Sequence, residues 1–170
     1  MASPFWNFSV AVYGANAVEG ECLTLQDQFG IDVNLILMCT FVGAAHGVAL
    51  TPDDIASARE LVGSWHKDIV TSLRTARRRL KTIELYDADT AKAAADLRSQ
   101  VKAAELESER IEQTILEQWA KARLTGRPRD NPRDIVPANL QTLLAGYGIG
   151  PERLTAADAM KHLVAAALVR

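Results

Sequence analysis

Five polar or glycine positions between two apolar segments form the densest group of residues that could do chemistry. The group consists of Gln26, Asp27, Gly30, Asp32 and Asn34. A carboxylate and amides at a helix–loop–helix corner could bind the polar head of a ligand or serve in proton transfer. The same residue types are also typical of helix ends, where Asp32 would cap one helix and Gly30 would end another. Both interpretations remain open, and the capping one is favoured.

Cys22, Cys39 and His46 carry the side chains that a metal site or a nucleophilic mechanism would need. Their spacing matches no zinc motif, and the chain has no Cys-x-x-Cys, His-Glu-x-x-His or Glu-x-x-His sequence. On one helix, Cys39 and His46 would stand about 10 Å apart along the axis, too far for direct proton transfer. The sequence therefore predicts no catalytic residue, no metal site and no cofactor, and it predicts two cysteines buried as small apolar side chains.

The segment 74–81 carries a dense run of cations. Arg74, Arg77, Arg78 and Lys81 recur at helical spacing and share one broad face. Such a face could bind a phosphate, a nucleic-acid backbone or an acidic surface, including the acidic N-terminal part of this chain. It lacks an aromatic side chain that could stack on a base, which disfavours nucleic acid. These four residues are therefore predicted to contact a protein partner or acids of the same chain.

Charge is distributed unevenly along the 170 residues. Residues 1–58 contain six acids and no Lys or Arg, a charge of −6. Residues 59–170 contain all 19 cations and 15 acids, a charge of +4. The two parts are expected to attract each other or to face different partners. The net charge of −2 argues against general attraction to nucleic acid or anionic membranes.

The N-terminal residues lack the basic region of an export signal, and the chain has only two cysteines. The apolar run 35–50 is shorter than the roughly 20 residues that a membrane span needs, and no basic residue flanks it. The sequence therefore predicts a cytoplasmic protein without a transmembrane segment.

Helix start and stop signals divide the chain into helices. Ser3 with Pro4, Asn16 with Glu19, and Asp32 are expected to start the first three. The third, 33–46, is apolar almost all round, which predicts a helix at the centre of the core. Thr51-Pro52-Asp53-Asp54 is expected to start a fourth.

Two long apolar stripes follow, separated by a turn near Asp87. The first recurs at intervals of three and four residues, and so does the second. The first consists of Ile55, Ala58, Val62, Trp65, Ile69, Leu73, Ala76, Leu80 and Ile83, and the second of Ala94, Leu97, Val101, Ala104, Ser108, Ile111, Ile115 and Trp119. These stripes predict that segments 52–85 and 90–124 form an antiparallel, coiled-coil-like hairpin with the stripes as its seam. The fold class is therefore all-α, a helical bundle with a long helical hairpin.

The chain is predicted to divide at residue 125. Residues 1–125 would form the helical bundle domain, including the hairpin 52–124. Residues 126–170 would contain a basic, proline-broken linker over 126–133 and two short helices, about 138–146 and 155–168, packed on or appended to the same domain.

The segment CLTLQDQFGIDVN, residues 22–34, resembles a motif of a family of short bacterial proteins of unknown function. The resemblance includes the aromatic start with Phe5, Trp6 and Tyr13, the arginines at the end of the fourth helix, and the Glu-rich segment 105–116. It covers about two-thirds of the chain, with Phe41 where the family pattern has a tryptophan. The resemblance implies a helical cytoplasmic protein and carries no activity.

Two functions are compatible with these features. The favoured one is a non-enzymatic adaptor or regulator that binds a larger protein partner, and a homo-oligomer is also compatible with the sequence. The alternative is a bundle that binds a small molecule or lipid, as a binding protein or as an enzyme, in a pocket between helices one to four near Tyr13 and Phe41. The residues predicted to bind that ligand are Trp6, Gln26, Asp27, Asp32, Asn34, Trp65 and Arg74.

Overall fold

The computed structural model describes residues 3–169, and every regular element within that range is helical, which confirms the predicted all-α fold. The helices are α1 Pro4–Tyr13, α2 Val18–Phe29, α3 Val33–Phe41 with a π-helical turn Val42–His46, α4 Pro52–Trp65 with a π-helical turn His66–Val70, α5 Thr71–Thr82, α6 Ala88–Arg123, α7 Pro132–Gly146, α8 Ala156–Ala159 and α9 Lys161–Leu168. Between Ser3 and Val169, no helix combines the length and apolar character that crossing a membrane requires.

The helices group into two compact units. The first contains the residues up to Leu61 together with those from Gln113 onward, and the second contains Val62–Glu112. The unit boundaries fall inside α4 and α6, so each of these helices contributes residues to both units.

Helix α3 lies at the centre of the first unit, as its all-round apolar sequence predicts. Every residue from Asn34 to Phe41 is buried, and the helix packs against α1, α2, α7 and α9. Helix α7 contributes Val136 and Leu140 to the same core. The backbone of α7 passes close to Gly43, since a Cβ atom at Gly43 would lie 3.0 Å from the Val136 Cα.

Buried Asn139 of α7 satisfies the backbone groups around the end of the π-helical turn. Its Oδ1 accepts from the Leu50 N–H at 2.7 Å. Its Nδ2 donates to the Cys39 carbonyl at 3.3 Å and to the Val48 carbonyl at 3.0 Å. Unpaired backbone groups are costly in an apolar interior. The side-chain amide of Asn139 supplies hydrogen bonds to the backbone where the helical path ends inside the core.

Several predicted helix ends are confirmed by their hydrogen bonds. The Ser3 Oγ accepts from the Trp6 N–H at 2.9 Å, and the Asp32 Oδ1 accepts from the Asn34 N–H at 2.8 Å. Gly30 ends α2 with a φ of 66°, a left-handed conformation that glycine adopts at little cost.

Two predicted starts are wrong. Helix α2 begins without a side-chain cap after Ala17, so Asn16 does not cap it. Helix α7 begins at Pro132 rather than near 138, because the Asn131 Oδ1 caps it through the Arg133 N–H and Pro137 is accommodated inside the helix.

Buried Asp54 ties the start of α4 to the cations that follow it in sequence. It closes a capping box with Thr51, accepting from the Thr51 N–H and hydroxyl, both at 2.9 Å. It also accepts from Arg123 Nε at 2.7 Å and Arg127 Nη1 at 2.5 Å. Burial opposes ionisation, but hydrogen bonds from Arg127, Thr51 and Arg123 outweigh it and hold the pKa of Asp54 well below its usual range.

Glu21 of α2 anchors the C-terminal helix α9, whose own N-terminus has no side-chain cap. Its carboxylate oxygens accept from the backbone N–H groups of His162 and Leu163, each at 3.0 Å. Glu21 Oε1 also lies 2.7 Å from His162 Nδ1. A distant acid therefore supplies the cap that the local sequence lacks.

We predict that Asp54→Asn lowers the free energy of unfolding by about 2 kcal/mol at pH 7, because it leaves two guanidinium groups short of their carboxylate. A depressed pKa stabilises the fold at pH values above the unfolded-state pKa of about 4, and that stabilisation is lost as pH falls through the folded-state pKa. Urea unfolding should therefore show a constant difference between wild type and variant from pH 6 to 8 that shrinks below pH 4. Equal stability at pH 7 would contradict this role.

We also predict that Glu21→Gln destabilises the protein by about 1 kcal/mol, because a neutral amide oxygen is a weaker cap for α9 than a carboxylate. Hydrogen exchange of the amides of His162 and Leu163 should accelerate more than that of α3 amides. Glu19→Gln is the matched control, an exposed acid in the same helix. Equal effects of the two variants would argue against the cap.

Candidate functional site

The second unit reverses the expected pattern of apolar and charged residues on α6. The predicted seam residues Leu97 and Ile111 are 48% and 39% exposed, and Ala104 between them is exposed. The residues that directly follow Ala104 and Ile111 are charged and buried. Glu105 is 6% exposed and Glu112 is 0% exposed. The predicted seam is therefore only partly right. Leu73, Leu80 and Val101 are half-buried and Ser108 is buried, as predicted, whereas Leu97, Ala104 and Ile111 are exposed and the carboxylates of Glu105 and Glu112 are buried instead.

Ion pairs across the hairpin explain this rotation of α6. Arg74 contacts Glu105 at 3.2 Å and Glu109 at 2.8 Å. Arg77 donates to both oxygens of Glu105, one of them at 3.2 Å through Nη2. His66 Nδ1 lies 3.3 Å from Glu112 Oε2. Satisfying these carboxylates requires the charged side of α6 to turn inward.

The pKa values reflect the same network. The hydrogen bond to Glu105 raises the pKa of Arg77. Burial pushes the pKa of Glu105 upward, but the hydrogen bonds from Arg77 and Arg74 outweigh it, so the net pKa is lowered. Both groups are therefore charged near neutral pH.

The apolar residues displaced from the seam form a second feature, which we call the outer face. It consists of Ile69, Ala76 and Ile83 on one arm and Leu97, Ala104 and Ile111 on the other, each set spaced by seven residues. Ile69, Ile83, Leu97 and Ile111 are among the exposed large apolar side chains, and both alanines are exposed.

The contacts Arg77–Glu105 and His66–Glu112 set the register of the hairpin. They place Ala76 level with Ala104, Ile69 level with Ile111, and Ile83 level with Leu97. Each set lies about a quarter of a turn, in the same rotational sense, from the side that faces the other arm. In an antiparallel pair this puts both sets on one side of the hairpin. The outer face is therefore a two-helix surface, narrow at its middle alanines and bulky at both ends.

The predicted partner-binding residues divide into two pairs. Arg74 and Arg77 are half-buried in the ion pairs with Glu105 and Glu109, whereas Arg78 and Lys81 are exposed. Trp65 is half-buried, and its indole Nε1 donates to the Ser108 carbonyl at 3.0 Å.

The polar corner predicted from the sequence lies in the first unit. Asn34 is buried and accepts from Gln113 Nε2 at 2.9 Å, while the Asp32 N–H donates to the Tyr147 hydroxyl at 3.4 Å. Burial raises the pKa of Tyr147, which keeps its hydroxyl protonated. The side chain of Asn34 and the backbone N–H of Asp32 therefore both have hydrogen-bond partners at this helix junction.

The other predicted ligand residues of this unit lie in different settings. Gln26 is half-buried and Asp27 exposed, and Gln26 Nε2 donates to Asp27 Oδ1 at 3.4 Å. Trp6 is half-buried on α1. Phe41 stacks on Phe5 with ring centroids 5.1 Å apart, so aromatic packing surrounds it.

Both cysteines are free and buried, as predicted. Burial is the main cause that raises the pKa of Cys22 to about 12, and it raises the pKa of Cys39 further still. Neither thiol is ionised near neutral pH, so neither is poised as a nucleophile.

Comparison with known proteins places the chain in a family without assigning an activity. The chain has no match among curated proteins and none among solved structures. Residues 4–116 match the model of a family described as "Protein of unknown function (DUF2390)". That match covers about two-thirds of the chain and includes the polar corner and the residues that form ion pairs across the hairpin. It confirms the resemblance to a family of unknown function. The chain belongs to the DUF2390 family.

Proposed function

We propose that this protein is a non-enzymatic cytoplasmic adaptor or regulator, and that its outer face binds an amphipathic helix of a larger protein partner. The observation that carries the proposal is the reversed pattern on α6, with carboxylates inside the hairpin and Leu97, Ala104 and Ile111 outside. If apolar packing alone set the rotation of α6, these residues would face the other arm of the hairpin.

The cost of this pattern favours a covering partner. Each exposed Ile or Leu forgoes part of the 1.5–3 kcal/mol or so that full burial would contribute. The ion pairs inside offset their own desolvation only in part. Several exposed apolar side chains at matching levels of two helices are typical of an interaction site, and departures from the folding pattern concentrate at functional sites.

The dimensions of the outer face suit a single helix. Ile69 and Ile83 are fourteen residues apart, which corresponds to about 21 Å of helix. The small side chains of Ala76 and Ala104 at its middle leave room for a large apolar residue of the partner, as in helix-in-groove recognition.

The charge of the hairpin indicates which polar residues the partner helix carries. Residues 71–104 contain eight cations and four acids. Arg74 and Arg77 are engaged inside the hairpin. Exposed Arg79, three residues after Ala76 and four before Ile83 on the same arm, lies beside the outer face. The partner helix is therefore apolar on one side and acidic at its margins.

A photo-crosslinking amino acid at position 104 should capture one partner protein in the native host, whereas the same group at position 106 should not. Leu106 is the matched control, because it is exposed on the opposite flank of α6. Ile83→Gln with Leu97→Gln should abolish the crosslink at 104 with a change in Tm of only a few degrees, because both side chains are already exposed. A crosslink only to a second copy of this chain, or equal capture at 104 and 106, would contradict the proposal.

Arg77→Glu and Arg79→Glu should distinguish residues that stabilise the hairpin from residues that bind the partner. We expect Arg77→Glu to lower the free energy of unfolding by about 2 kcal/mol, because it places a third carboxylate beside Glu105 and Glu109. Arg79→Glu should leave stability within about 0.5 kcal/mol and weaken partner capture at position 104, because Arg79 is exposed beside the outer face. Calorimetry together with the crosslinking yield measures both effects, and the reverse order of destabilisation would refute this assignment.

A further inference from the structure

A groove of about 390 Å³ lies in the first unit, and none of its lining residues belongs to the outer face. It is formed where the π-helical turn after α3, the end of α6 and the loop before α7 meet. Its lining residues are His46, Val48, Ala120, Lys121, Leu124, Thr125, Gly126, Arg127 and Arg129. One wall is apolar and the other carries three cations and an imidazole.

The loop that forms the basic wall is held against the rest of the unit. The Asp130 N–H donates to the Gly47 carbonyl at 2.8 Å. Gly47 has a φ of 62°, and a Cβ atom there would lie 2.5 Å from the Asp130 carbonyl oxygen, so only glycine fits this approach. Arg127 adds a bond from Nη2 to the Ala49 carbonyl at 2.8 Å and its ion pair with Asp54. The groove is thus shaped by fixed backbone.

Its polar groups still have hydrogen-bonding capacity. Within residues 3–169, the guanidinium of Arg129 makes no hydrogen bond or ion pair, and neither imidazole nitrogen of His46 is hydrogen-bonded. Lys121 Nζ contacts Glu117 Oε1 at 2.8 Å, which leaves two of its three N–H donors. The His46 ring packs edge-on against Phe41, with centroids 5.1 Å apart.

The electrostatic surroundings of His46 come from three groups of other elements. Burial is the main cause that lowers the pKa of His46, Arg129 and Lys121 lower it further, and Glu117 opposes them. The imidazole is therefore neutral near pH 7 and lies beside the guanidinium of Arg129, which has no carboxylate partner within residues 3–169.

We infer that this groove binds a small phosphomonoester, with the phosphate between Arg129, Lys121 and His46 and the organic group against Val48, Ala120 and Leu124. A phosphate dianion offers three terminal oxygens to these donors, more than a carboxylate can, and guanidinium groups suit it especially well. The apolar wall distinguishes an organic ester from inorganic phosphate. This inference does not depend on the proposed function.

Calorimetry with phenyl phosphate, inorganic phosphate and phenol tests the inference on the full chain. Phenyl phosphate should bind more tightly than inorganic phosphate, and phenol should not bind measurably. Arg129→Gln should weaken phenyl phosphate binding about tenfold, the effect of losing a charge-assisted hydrogen bond. Arg133→Gln is the matched control, since Arg133 is exposed four residues away and does not line the groove.

The His46 ring provides a second readout that does not depend on affinity. In wild type, NMR titration of the imidazole should show its pKa rising when phenyl phosphate is bound, because the added anion favours the protonated ring. In Arg129→Gln, the rise should be lost at the same ligand concentration. Equal binding by wild type and Arg129→Gln, or a His46 pKa unchanged at saturation, would overturn the inference.

Discussion

The first unit is organised around the burial of a helix that has no polar side. Helix α3 is apolar on all faces, so it forms a stable structure only where other helices surround it. Four helices do so, and the chain must also leave α3 without stranding backbone groups in the interior. Asn139 of α7 solves that problem with three hydrogen bonds to backbone around the π-helical turn. The position of α7 therefore follows from α3.

Ion pairs and charged helix caps stabilise the first unit in addition to apolar packing. Asp54 and Glu21 both come from the part of the chain that has no Lys or Arg, and both bind groups from the C-terminal half. Each also serves a helix end, Asp54 at its own helix and Glu21 at a distant one. Acids concentrated in one half of the sequence are thus used to fix elements supplied by the other half.

The second unit follows a different rule, because its interior is ionic. Two arginines and a histidine on one arm meet Glu105, Glu109 and Glu112 on the other, and part of the apolar stripe, including Leu97, Ala104 and Ile111, is left exposed. Buried ion pairs specify a register more strictly than they stabilise, since a carboxylate without its partner is costly. The ion pairs therefore fix the register of the hairpin and, with it, the arrangement of the outer face.

The sequence by itself determined the features that depend on neighbours a few residues away. The caps at Ser3, Asp32 and Thr51 act over two or three residues, and the central role of α3 follows from its composition, so these could be predicted. The family resemblance was likewise readable from a local motif.

Only the tertiary structure decided which side of α6 turns inward and which loop meets His46. Adjacent positions such as Ala104 and Glu105 differ by about 100° around the helix, and helical periodicity cannot choose between them without knowing that Arg77 lies opposite. His46 and Arg129 are 83 positions apart in sequence, and the bond between Asp130 and Gly47 brings their segments together. Such choices rest on long-range ion pairs and backbone contacts, which a local pattern does not record.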